Sequence, residues 1–349
     1  MTTTTTTPTM ATTRSTRVFH RDVLNIDLEE RSTTLARKLR ECVQGFKRRG
    51  VVVAVSGGID SACVLGLAVR ALGADRVFAL LLPERDSSST SSELGRRLCD
   101  KFGVAYELID IAPALEALGC YRTRDAAVRT VYPAFDGEMP WKIVMHGDRL
   151  GSDALNVFSV VIDTPEGEKR FRLPMKPYLD IVAATNLKQR VRKTLEYTWS
   201  DRLVYAVAGT PNLLEYDQGF FVKLGDGAAD VKPIAGLYKT QVYALARHLG
   251  VIEEILQREP TTDTYSLAQS QEDFYFSVNY RLLDLILWAK NHGVSEAYCG
   301  AILDLPPEQV GRVYDDIDQK RRTTAYLHAP PVLLDDVPEL NHKATTVQA

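Results

Sequence analysis

Cysteine is scarce in this chain. Five occur in 349 residues (Cys42, Cys63, Cys99, Cys120 and Cys299), an odd number, widely spaced and with no CxxC pair. That excludes a disulfide framework and a cysteine zinc site, and fits reduced thiols in a cytoplasmic protein. Long hydrophobic runs are missing too, so no segment is suited to crossing a bilayer. Met1 to Thr16 is nearly all threonine without an apolar stretch, which argues against a secretory signal and predicts a disordered tail. Neither sign of charge dominates. With 42 Lys and Arg against 45 Asp and Glu, the net charge of -3 gives no reason to expect nucleic acid or an anionic membrane as partner. What remains is ordinary for a globular protein: 45% hydrophobic and 25% charged residues, enough for one large α/β domain or two small ones. The expectation is a single domain over residues 18–330, with a Thr-rich tail before it and a polar tail, 331–349, after it.

The densest stretch is Val51 to Ser61, VVVAVSGGIDS. Val51 to Val55 is a β-branched run of the kind buried on both faces of a sheet. It stops in Ser56-Gly57-Gly58 and continues from Ile59 with helical spacing. A strand, a glycine turn and a helix start present free backbone N–H groups to an anion. The two glycines let a phosphate approach without a Cβ in the way. Ser56 and Ser61 add hydroxyls, and Asp60 a carboxylate able to hold a metal beside phosphates. The Walker pattern GxxxxGK[ST] is absent, so this is another kind of phosphate loop.

Along the chain, Asp27 to Arg49 predicts an amphipathic helix carrying Leu35, Leu39, Val43 and Phe46. The helix after the glycine loop should end at Gly73. Val77 to Leu82 and Ala105 to Ile111 predict further strands, separated by a polar run, Glu84 to Ser92, and a helix, Glu93 to Phe102. This alternation indicates a doubly wound parallel sheet, in which ligands sit beyond the strands' carboxyl ends. Tyr121 to Tyr178 breaks the rhythm and predicts an inserted hairpin, Asn156 to Asp163 with Lys169 to Leu173, flanked by loops. It can serve as a lid, a substrate wall or a subunit contact. Ile181 to Tyr197 resumes a helix with Arg190 and Arg192 about 200° apart around it, so both cannot face one phosphate. Leu203 to Ala208 predicts a fourth core strand, Gly219 to Asp230 a close-packed acidic loop, and Lys239 the start of a helix. Ser270 to Val313 is expected to be helical.

Taken together, SGGIDS, N-x-K-x-R-x-R at Asn186 to Arg192, GT-x4-E at Gly209 to Glu215 and GFFVKLGDGAAD at Gly219 to Asp230 resemble the NAD synthetases. So do P-x3-LYKTQV at Pro233 to Val242 and EPTTD at Glu259 to Asp263. The resemblance implies the ATP pyrophosphatase fold, an α/β sheet of adenine-nucleotide alpha-hydrolase type with a helical C-terminal part. It also implies an ammonia-dependent amide ligase. The carboxylate of nicotinic acid adenine dinucleotide attacks the α-phosphorus of ATP, pyrophosphate leaves, and ammonia displaces AMP to give NAD. Carried over by position, Asp60 and Glu215 correspond to Mg²⁺ ligands. Ser56, Gly57, Gly58, Ser61, Lys239 and Thr261 correspond to the ATP phosphate site, with Arg190 and Thr210 near the adenosine. Asp226 matches the acid that receives ammonium, Lys239 counts as catalytic as well as phosphate-binding, and Lys223 and Asp230 match contacts to the dinucleotide. Arg192 receives no role. A homodimer is implied as well.

The sequence departs from the family in two places. Gln271 stands where an acidic residue is expected, and the stretch 121–178 is long. Both bear on substrate identity more than on reaction type. A glutaminase domain of about 250 residues does not fit beside this one, so the nitrogen is expected from free ammonia or a separate glutaminase partner. Two alternatives stay open: a paralogue amidating a different carboxylate, and a nucleotide-binding protein without chemistry.

Overall fold

The valine run at the head of the glycine loop forms an inner strand of the parallel sheet. The structure, a computed structural model, describes residues 18–146, 157–258, 265–267, 275–276 and 278–335. Helix α1 (Leu28–Gly45) precedes strand β1 (Val51–Ala54), whose valines are fully buried. Helix α2 (Ile59–Leu72) ends at Gly73, and β2 (Val77–Leu81), α3 (Ser89–Phe102) and β3 (Ala105–Leu108) follow. Next come α4 (Ala112–Ala117), α5 (Cys120–Arg129), β4 (Trp141–His146), β5 (Val157–Thr164), β6 (Gly167–Arg172) and α6 (Met175–Leu203). Strand β7 (Ala206–Ala208) and helices α7 (Leu213–Gln218), α8 (Lys239–His248), α9 (Glu253–Leu256), α10 (Tyr280–Asn291), α11 (Glu296–Leu303) and α12 (Pro307–His328) complete the chain.

One sheet is parallel, in the order β3-β2-β1-β7, with Val51 level with both Val77 and Ala206. From β1 the chain steps first to β2 and β3 on one side and later to β7 on the other. The loops after β1 and β7 therefore diverge at a switch point, where open α/β sheets bind ligands. Helices α1, α2 and α8 cover one face of the sheet and α6 the other. A separate apolar cluster joins α10, α11 and α12 to Phe19, whose ring stacks on Trp288 at 5.8 Å.

Four expectations need correction. Helix α3 begins at Ser89, inside the polar run and before the expected Glu93; Ser88 precedes it in extended conformation, as an N-cap residue does, although its side chain makes no capping bond. Strand β3 stops at Leu108, short of Ile111. The fourth strand starts at Ala206, not Leu203: Leu203 closes α6 and Val204 adopts φ 57° as its left-handed cap. The stretch 121–178 is more than a hairpin between loops. It holds most of α5, the three-stranded antiparallel sheet β4-β5-β6 and the first turn of α6. Trp141, Ile143, Val160, Ile162 and Leu173 form that sheet's core, packed on Ile181 of α6 and on Tyr265.

Candidate active site

A cavity of about 480 Å³ opens beyond the carboxyl ends of β1, β2 and β7 and runs along α6. The glycine loop forms one end. Gly58 caps α2, so the first N–H groups of that helix have no side-chain partner. The Ser61 hydroxyl donates to the Gly58 carbonyl at 3.0 Å and accepts the Ser56 N–H at 3.2 Å, which fixes the turn from within. Gly57 is held at φ 74°, and a Cβ there would lie 2.3 Å from the Ser91 carbonyl oxygen. Its missing side chain thus admits the first turn of α3, while Gly58 lines the cavity.

Asp60, Glu215 and Lys239 converge at this end. Lys239, only 2% exposed, is ion-paired to Asp60 across 179 residues. Burial opposes its charge, but the carboxylates of Asp60 and Glu215 outweigh that and hold the ammonium above the ordinary lysine range. Two residues without an assigned role organise the group. Asn212, fully buried, donates to Asp60 at 3.0 Å and forms a reciprocal cap with Glu215, each accepting the other's backbone N–H at 3.2 Å. The pattern N-x-x-E could have revealed it. Asp284 of α10 accepts the N–H groups of Lys239 (3.2 Å) and Thr240 (2.7 Å), capping α8 from outside. Burial pushes the Asp284 carboxyl up to about 6, against the pull of those bonds. Its signal was a lone aspartate in the otherwise apolar run Leu282 to Ala289.

The polar run after β2 is not simply a solvated loop: Arg85, Ser89 and Thr90 are exposed, but its acids are not. Glu84 and Asp86 are buried and paired with Lys188 of α6, at 3.0 and 2.6 Å, and Asp86 also meets Arg124 of α5 at 2.6 Å. These pairs seat the loop whose Pro83 and Ser87 line the cavity, together with Ser91 and Ser92 in the first turn of α3.

The other end lies between α6 and the Gly219 to Asp230 loop. Asp226 lines it and accepts the Val222 N–H at 2.7 Å. Burial raises its carboxyl, against the pull of that bond and of Lys193 and Arg192. The glycines flanking Asp226 serve the protein's own packing, not a ligand's approach. A Cβ at Gly227 would lie 2.3 Å from the Phe221 ring, and one at Gly225 2.9 Å from Gln189. Lys193 and Glu196, paired at 2.7 Å, line the cavity beside it. The sequence shows Lys193 on a basic helix face and gives neither residue a role, since charges on a helix ordinarily face water.

Of the residues carried over by resemblance, Ser56, Gly58, Asp60, Ser61, Thr210, Glu215, Asp226 and Lys239 all line this one cavity. Thr261 lies outside the described residues, as do the rest of EPTTD and Gln271. Arg190 is not in the wall; its Nε meets the Lys223 carbonyl at 3.3 Å, whereas Arg192, diverging from it, lines the cavity and donates to the Leu82 carbonyl at 3.1 Å. Lys223 points to the end of α12, donating to the carbonyls of Tyr326 (2.9 Å) and Ala329 (3.0 Å). Asp230 accepts the Val207 N–H at 2.8 Å and the Tyr197 hydroxyl at 3.3 Å, fastening β7.

A phosphate-type loop at the switch point of a parallel sheet, facing a buried lysine and two carboxylates, defines a nucleotide-binding α/β protein. Comparison with known proteins narrows this. A family model described as NAD synthase matches residues 32–131 and 154–324, and the chain belongs to that family. It is 51% identical over 324 residues to the NH(3)-dependent NAD(+) synthetase of Rhizobium meliloti, covering 93% of this chain and 97% of that protein. With the NH(3)-dependent NAD(+) synthetase of Mesorhizobium japonicum it shares 52% over 319 residues, 91% of this chain and 100% of the other. Among solved structures, the NH3-dependent NAD synthetase of Campylobacter jejuni shares the fold, with a TM-score of 0.58 and 23% identity over 89% of this chain and 100% of that one. Within the match, the internal stretch left uncovered by the family model is 132–153, much shorter than 121–178.

Proposed function

We infer that the protein is an ammonia-dependent ligase that adenylates the carboxylate of nicotinic acid adenine dinucleotide with ATP and amidates it to give NAD, AMP and pyrophosphate. The observation that carries this is the convergence of the glycine loop, Asp60, Glu215 and Lys239 with Asp226 on one cavity in a member of the NAD synthase family. The α2 N-terminus, with Ser56 and Ser61, orients the ATP phosphates, and Lys239 meets their charge. Asp60 and Glu215 suit Mg²⁺, which takes oxygen ligands from one or two carboxylates and completes its shell with phosphates and water. Asp60 uses two of its lone pairs on Lys239 and Asn212, leaving others for such a cation. When bound, Mg²⁺ supplies neutralisation of phosphate charge. The dinucleotide's carboxylate then forms the new bond to the α-phosphorus as the bond to pyrophosphate breaks. At the other end Asp226 receives ammonium and takes a proton from its nitrogen, leaving the lone pair that attacks the acyl carbon; the bond from that carbon to the AMP oxygen breaks, and AMP leaves with its electron pair. No helix among the described residues is long and apolar enough to cross a membrane.

The test is product analysis with ATP, Mg²⁺ and ammonium. AMP and pyrophosphate are expected in the presence of nicotinic acid adenine dinucleotide and not without it. ADP and phosphate would reject the reaction type. Activity only with another carboxylic acid would reject the substrate.

A further inference from the structure

The charged pair Lys193–Glu196 has no counterpart in the chemistry described above. It occupies consecutive turns of α6, with Lys193 5% and Glu196 4% exposed, and it borders the cavity next to Asp226 and Arg192. Stability does not account for it. A buried ion pair seldom outweighs the cost of desolvating both charges, and apolar residues of similar size commonly serve a fold as well or better. On a helix packed by Val191, Leu195 and Trp199, an apolar pair would extend the core. What the charged pair adds is a cation fixed in place near the carboxylate of Asp226.

We propose that Lys193, held by Glu196, is a positioning residue that keeps Asp226 ionised, and so able to take a proton from ammonium, despite its partial burial. The proposal rests on the amidation reading above. A carboxylate removed from water tends to hold its proton, and a protonated Asp226 can neither attract ammonium nor accept from it. The groups facing Asp226 are the Val222 N–H on its own loop, Lys193, Arg192 and Glu196 on α6, and Lys232 on the following segment. Lys193 and Arg192 draw its carboxyl down against burial, while Glu196 repels it. The 2.7 Å bond from Lys193 to Glu196 fixes the cation and also limits its net field. The two members of the pair therefore act on Asp226 with opposite sign.

That opposition supplies the test. Amide formation is measured at saturating ammonium across pH, with acid-dependent ATP–pyrophosphate exchange followed in parallel. Lys193→Met is expected to move the acidic limb of amide formation up by roughly one pH unit, since an opposite charge is lost. Glu196→Gln is expected to move it down and to raise KM for ammonium several-fold. The double variant Lys193→Met/Glu196→Leu, which removes both charges and keeps the volume, should fold and lie between them; Lys193→Arg should restore the parental limb. Exchange should keep its parental profile throughout. Unmoved limbs, or limbs that shift in one direction in both single variants, would overturn the proposal. If the parent protein showed no acid-dependent exchange at all, the ligase reading itself would fall, a result distinct from unmoved limbs.

Discussion

The two ends of the cavity each hold a lysine bound to a carboxylate, and they are built differently. Lys239 and Asp60 come from helices 179 residues apart, brought together by the sheet's switch point and steadied by Asn212 and Asp284. Lys193 and Glu196 are three residues apart on one helix, and the acid they face, Asp226, belongs to a loop. At the first end the field of two carboxylates raises the lysine and keeps it a cation, as suits a group meeting phosphates. At the second, burial raises the acid and brings it nearer to the proton exchange that ammonia chemistry needs. One cavity thus carries a fixed-charge end and a titrating end.

The largest expected effect lies at the fixed-charge end. Asp60→Asn leaves Lys239 buried without its nearest counter-charge, so it should lower pyrophosphate release by about 10³-fold and stability by ~3 kcal/mol. Glu215→Gln should cost ~10²-fold in rate with little loss of stability, because glutamine retains the reciprocal cap with Asn212. Steady-state rates beside urea titrations separate the two. Equal stability losses in both variants would show that Glu215 braces the fold as much as Asp60 does.

A smaller and more selective effect is expected at the titrating end. Asp226→Asn should reduce amide formation by ~10²-fold while acid-dependent ATP–pyrophosphate exchange persists. Its stability should move the other way. Because the folded-state pKa of Asp226 is raised, the ionised form carries a penalty that is absent below the ordinary carboxylate range and complete above the raised value. The variant should therefore melt above the parent at neutral pH, with the difference closing as pH falls through that raised value. A variant melting lower at neutral pH would contradict the assigned burial of the charge.

The same contrast explains what the sequence disclosed. The parallel sheet was legible because strands buried on both faces need uninterrupted apolar runs, rich in β-branched residues, as Val51 to Val55 shows. The fixed-charge end was legible because its residues stand in compact motifs at strand ends. At the titrating end Asp226 stood in such a motif too, but Lys193 and Glu196 did not, because α6 has no single apolar face. Ile181 packs on the antiparallel sheet, Ala184 on the parallel sheet, and Lys193 and Glu196 border the cavity. A helix enclosed on several sides loses the periodicity that marks its boundaries, which is why its start at Met175 was missed. Strand β4 was hidden for another reason: Pro133, Gly137 and Pro140 just before it read as loop.

The smallest effects should come from the two substrate contacts that resemblance assigned but that do not line the cavity. Lys223 hydrogen-bonds the last carbonyls of α12 and lies 4.0 Å over the Tyr326 ring, a half-exposed arrangement worth about 1 kcal/mol. Asp230 is occupied with the Val207 N–H and the Tyr197 hydroxyl, so its charge serves the loop's attachment to β7. Asp230→Asn retains an acceptor for Val207 and removes only charge. If the geometry describes its work, KM for the dinucleotide should rise less than about threefold, a change worth under 1 kcal/mol. A direct contact to a polar group of the substrate would cost more, since truncating it leaves a partner unsatisfied. An increase of tenfold or more in that KM alone, with KM for ATP unchanged, would return Asp230 to the substrate and mean that the loop rearranges on binding. Lys223→Met discriminates further. Loss of a helix-end contact should lower the melting temperature slightly and leave both KM values alone, whereas a substrate contact should do the reverse.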